Sequence, residues 1–216
     1  MEPAKSTEVQ KLFSFCVHQR VPIIIFLDFI SLSLAAYIIS ATFFAADFYA
    51  LNYSAGIWAG RLGIIIYIAT LIPGILRRFK IHHPLGQMLM LFRRQTGVLS
   101  FMLVSLHGWF NKGLPLILKH RNLFPLPPFS VMGISAAILL FLLFITSNDT
   151  SVHKMGRWWE RLHQLTYLIV WLVFLHVALI KLSVWSVLIG FFAVLEVVSF
   201  LYNALNQKRE ILSGQK

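Results

Sequence analysis

Six apolar runs dictate what this chain can fold into: roughly residues 21–46, 54–76, 95–118, 129–147, 162–182 and 184–205. Each holds roughly 19–26 residues, and about 20 residues rising 1.5 Å apiece cross the hydrocarbon core of a bilayer. The first run is too long for the apolar core of a signal peptide and reads as the first span. Composition points the same way. Of 216 residues, 58% are hydrophobic and 12% charged, whereas soluble domains carry about 25% charged residues. A soluble globular fold is excluded, and 19 Phe with 6 Trp exclude a disordered chain. The expected fold is an all-α membrane protein, a six-transmembrane-helix bundle over 21–205. A cytoplasmic segment at 1–20 precedes it and a cytoplasmic tail at 206–216 follows. The connectors at 47–53, 77–94, 111–128 and 148–161 are Pro-rich or charged, and 181–183 is a tight reversal.

Orientation follows from Lys and Arg. With both termini inside, the inner segments hold fourteen and the outer connectors four, and Arg61 lies within a span. That bias predicts an N-in, C-in protein. The formal charge of +11 is therefore topogenic, and nucleic acid is not an expected partner; the lipid bilayer is. Cys16 is the one cysteine, so no internal disulfide and no Cys-based metal cluster can form.

Ionisable groups inside spans are costly and mark candidate sites. Here they are Asp28, Arg61, His107, His176 and Glu196, with His163 at the start of the fifth span. Counted from the inner side, His107 lies about 18 Å in and His176 about 21 Å in. Two neutral imidazoles at matched depth on separate helices suit the axial positions of one haem. Zinc fits less well, because it wants four ligands and neither helix offers Cys or carboxylate at that depth. The alternative is that each imidazole makes an interhelical hydrogen bond. No C-x-x-C-H is present, so any haem is held non-covalently. His163 sits at the water boundary, about 20 Å along the helix from His176, and cannot share a haem with it. Arg61 needs an anion: a haem propionate, Asp28 or Glu196. Glu196 could be paired, protonated or on a proton path. Arg93 and Arg94 mark the inner end of the third span, where such residues usually serve as topogenic or lipid-phosphate anchors; here, with Arg61, they are expected to neutralise haem propionates or a flavin phosphate. Trp158 and Trp159 read as an interfacial aromatic belt.

Three stretches carry a family resemblance. RRQTGVLSFMLVSLH, ending at His107, resembles the third-helix signature of the ferric reductase-like transmembrane domain, with its Arg pair, Gly and closing His. ITSND followed by GRWWERLHQLTYLIVWLVFLH, ending at His176, resembles the loop and fifth helix of the same family. AGIWAGRLGIIIYIATLIPGIL is a looser match to its second helix. Within the family the likeness is to haem-binding membrane subunits of bacterial methionine sulfoxide reductase systems. The resemblance implies a b-type haem carried on His107 and His176 in a bacterial inner membrane, passing electrons across it. His163 matches the inner-haem histidine of larger relatives. The usual positions of that histidine's partner, 13–14 residues before His107, hold Arg94 and Arg93. One haem is therefore expected and a second is possible, with His82, His83 or an FMN as alternatives beside His163. With no G-x-G-x-x-G and about a dozen residues after the last run, the chain is not expected to oxidise NAD(P)H itself. The implied donor is a cytosolic flavin reductase or a quinol. The implied acceptor is a periplasmic or extracellular reductase subunit, or a metal chelate. Two other readings compete: a stand-alone ferric or cupric reductase, and a haem-free scaffold or transporter with Asp28, Arg61 and Glu196 in a buried charge network.

Overall fold

Helices α2 (Arg20–Phe43), α3 (Tyr49–Arg78), α7 (Pro128–Ile145), α9 (Arg157–His163) continuing into α10 (Thr166–Ile180), and α11 (Val184–Leu212) supply five stretches long and apolar enough to cross a membrane. The computed structural model describes residues 8–44, 48–118 and 124–214. The first residues of the 1–20 segment, the last of the tail and parts of the connectors at 47–53 and 111–128 lie outside them. The region expected to form the third span is a bent pair of helices, which makes five or six candidate spans in all. Helix α5 (Arg93–Gly108) runs through a π-helical turn at Trp109–Gly113 into α6 (Leu114–Leu118), and α4 (Pro84–Leu91) meets this rod at a 66° bend. The chain is an integral multi-pass membrane protein.

Several expected connectors are helical. The amphipathic α1 (Glu8–His18) precedes the first span and packs on α4. The connector at 77–94 contains α4, started by Pro84 at its first position and by His83, whose side chain accepts the Leu85 N–H at 3.3 Å. The connector at 148–161 contains α8 (Asp149–Met155), capped by Asn148 accepting from the Ser151 N–H at 2.8 Å.

The central element is α3. It packs on α5 and α11, while α10 packs on α7 and α11, and α2 lies against α5. Lipid tails are as apolar as Leu, so close fit and polar ties between helices hold such a bundle together. Tyr67, Leu71 and Ile75 of α3 interlock with Ile169 and Val170 of α10 and with Ile189 and Ala193 of α11. Ala59, Leu99, Leu103, Leu106 and Phe110 form a second cluster, covered by Leu27, Ile30 and Leu34 of α2. The opposite side of α2, with Val21, Ile25, Phe26 and Phe29, is exposed, as suits a helix facing lipid. One polar tie is long-range: the buried Tyr67 hydroxyl donates to the Thr166 carbonyl at 2.6 Å.

Candidate functional site

His107 near the end of α5 and His176 on α10 face each other, their ring centroids 6.1 Å apart and their planes at 76°. Neither helix makes the other its main neighbour, so the two rings meet across the seam between α3–α5 and α7–α10. Each ring is tied at Nδ1. His107 Nδ1 lies 2.9 Å from the Gly56 carbonyl on α3, and His176 Nδ1 lies 2.7 Å from the Phe129 carbonyl on α7. A carbonyl only accepts, so each Nδ1 carries the proton and donates it, and each Nε2 keeps its lone pair. That is how metal-ligating histidines are held. Among the described residues no group of three or more His, Cys, Asp and Glu comes together. The described residues therefore offer a pair of facing imidazoles and no closed coordination sphere.

Polar groups gather at the same end of the bundle. The Lys112 ammonium sits 5.6 Å above the Phe129 ring. Ser130 Oγ, Asn111 Oδ1 and Asn52 Nδ2 are buried without a hydrogen-bond partner, although Asn52 Oδ1 accepts from the Tyr37 hydroxyl at 3.1 Å. Unsatisfied buried groups of this kind are costly in an apolar interior.

Arg61 stacks its guanidinium over Trp58 at 4.7 Å and Trp185 at 5.9 Å. It does not pair with Asp28, which is exposed on α2, nor with Glu196. The latter forms a buried ion pair with Arg78 instead. Arg78 Nε also donates to Ser199 Oγ at 2.7 Å, Nη1 to the Tyr167 hydroxyl at 3.2 Å, and the guanidinium covers the Phe200 ring at 4.0 Å. The buried network of Asp28, Arg61 and Glu196 that the haem-free scaffold or transporter reading requires is thus not formed. Arg61 lies 17 residues up α3 from Arg78, about 25 Å along the axis, and cannot reach the same carboxylate.

At the basic end, His163 stacks on Trp159 with centroids 4.0 Å apart, and its Nε2 lies 3.3 Å from Thr146 Oγ1. Trp159 Nε1 donates to the Thr146 carbonyl at 2.9 Å. Trp158 is exposed, while Trp159 is half-buried in this cluster. Arg94 Nε donates to the Ser147 carbonyl at 2.7 Å and its Nη1 pairs with Asp149 at 2.9 Å. Arg93, half-buried, opens α5 at the same end. His83 is engaged as the α4 cap.

Comparison with known proteins locates the similarity in the same helices. Residues 55–175 match the family described as ferric reductase like transmembrane component. Three relatives share one name, protein-methionine-sulfoxide reductase heme-binding subunit MsrQ. That of Polaromonas naphthalenivorans is 37% identical over 39% of this chain and 41% of its own length. That of Rhizobium meliloti is 32% identical over 57% and 55%, and that of Bordetella pertussis 30% over 58% and 59%. The chain spans about half the length of these curated relatives. No solved structure matches.

Proposed function

The chain belongs to the ferric reductase like transmembrane component family, and from that premise we propose that it is a haem-carrying electron-transfer subunit. His107 and His176 would hold one b-type haem between them. The observation that carries this reading is the facing ring pair at 6.1 Å, with both Nδ1 protons committed to backbone carbonyls. Two metal–nitrogen bonds of about 2 Å, plus the inner half of each ring, fill such a gap. Held there, a haem would supply a one-electron carrier, and the two imidazoles would be the groups that bind its iron. Arg61 lacks a carboxylate partner among the described residues and would neutralise a propionate. The orphaned Asn52 Nδ2 is a second donor at the same end.

In this reading both termini face the cytoplasm of a bacterial cell, and the basic end of the bundle accepts electrons. His163, Trp159 and Thr146 sit at that end, and Arg93 would face a second haem or an FMN held beside His163. Arg94, tied to Asp149, holds the loop. The donor is a cytosolic flavin reductase or a quinol. The acceptor lies outside, where the relatives' name points to a methionine sulfoxide reductase partner.

Proteoliposomes test the transfer. With dithionite outside and cytochrome c trapped within, vesicles carrying the haem-loaded protein should reduce the trapped acceptor faster than empty vesicles. H107A and H176A should fall to the empty-vesicle rate. Equal rates for all four preparations would contradict the reading.

A further inference from the structure

The two histidines are held by the same device on two different helices. His107 donates to the carbonyl of residue 56, and four residues on is Gly60; His176 donates to the carbonyl of residue 129, and four residues on is Gly133. In a helix the carbonyl of residue i already accepts the N–H of residue i+4. An imidazole reaching that oxygen from the side must lie across residue i+4 itself. A Cβ built on Gly60 would stand 2.7 Å from His107 Nδ1, and one built on Gly133 would stand 2.6 Å from His176 Nδ1. In both cases the three nearest atoms are imidazole atoms, not the backbone of the neighbouring helix. Resting on the haem reading above, we propose that Gly60 and Gly133 are positioning residues. They admit each imidazole to a helix carbonyl and thereby fix which nitrogen keeps its lone pair and where it points.

The competing explanation is ordinary small-residue packing between membrane helices. Gly63, one turn beyond Gly60, separates the two. A Cβ there would meet Val104 and Leu103 at 3.5–3.6 Å, an ordinary contact with α5 and no histidine.

The test uses the full chain in detergent, titrated with haem as wild type, G60A, G133A and G63A. G60A and G133A should lose about 10–100-fold in haem affinity, the usual cost of disturbing the groups that orient metal ligands. The haem they still bind should give an altered low-spin electron paramagnetic resonance signal. G63A should match the wild type in both. Wild-type affinity and signal in G60A and G133A, or an equal loss in G63A, would overturn the assignment. Should the glycine variants fail to accumulate, H107A supplies a second test. Added imidazole, which keeps an N–H for the Gly56 carbonyl, should restore the six-coordinate spectrum, and 1-methylimidazole should not; equal rescue by both would overturn it. A wild-type chain that takes up no haem would instead overturn the haem reading, and the glycine assignment with it.

Discussion

Arg61 shows how much one residue's surroundings decide. Its charge has two indole faces and no described carboxylate, and cation–π contact alone compensates a membrane-embedded guanidinium only in part. A cation near a haem favours the reduced form, which carries one positive charge fewer. R61Q should therefore keep the haem and lower its midpoint potential, on the order of tens of millivolts; an unchanged potential would separate Arg61 from the cofactor. At the other end, W159F keeps the ring beside His163 but removes the donor to the Thr146 carbonyl. Thermal unfolding should show a loss of about 1 kcal/mol. His107, His176 and Arg61 stand out in the sequence because an ionisable group inside an apolar run announces itself, whereas His163, at the water boundary, is singled out only by the family resemblance. Arg78 does not stand out. It stands at the start of a charged connector and looks topogenic, and only a fold that brings Glu196 from 118 positions away makes it a buried group. Gly60 and Gly133 gave no signal either, since a glycine's role here depends on which ring lies over it.

Between elements, the Arg78–Glu196 pair pins α3 to α11 beneath the core, with side-chain exposures of 7% and 3%. Removing one partner leaves an unpaired buried charge, which costs about 3–5 kcal/mol, whereas replacing both by apolar residues is often neutral. E196Q and R78M should each lower the unfolding temperature sharply, and R78M/E196L should recover most of the loss. A double variant as unstable as either single one would contradict this. Hydropathy located five long apolar helices, with ends off by up to seven residues, and did not show that the third run joins a bent pair. It was silent about α1, α4 and α8, which are too short to cross a bilayer; α4 and α8 are capped by His83 and Asn148, and α1 packs on α4. The π-turn after His107 was also unreadable, because one residue of helix register leaves no mark in composition.

For the whole molecule, the uneven Lys and Arg distribution sets the expected orientation. Membrane-impermeant maleimide applied to intact cells should label K181C, at the α10–α11 reversal, and spare K154C and K208C in a C16S background. The opposite pattern would invert the proposed path. One haem held by His107 and His176 would join α5 to α10. The dithionite-reduced minus oxidised visible spectrum of the purified protein, with haem counted per chain, tests this directly. A low-spin b-type spectrum is expected in the wild type, lost in both H107A and H176A and retained in H163A. A folded wild type that stays colourless with haem supplied, or an H176A protein with an unchanged spectrum, would contradict it.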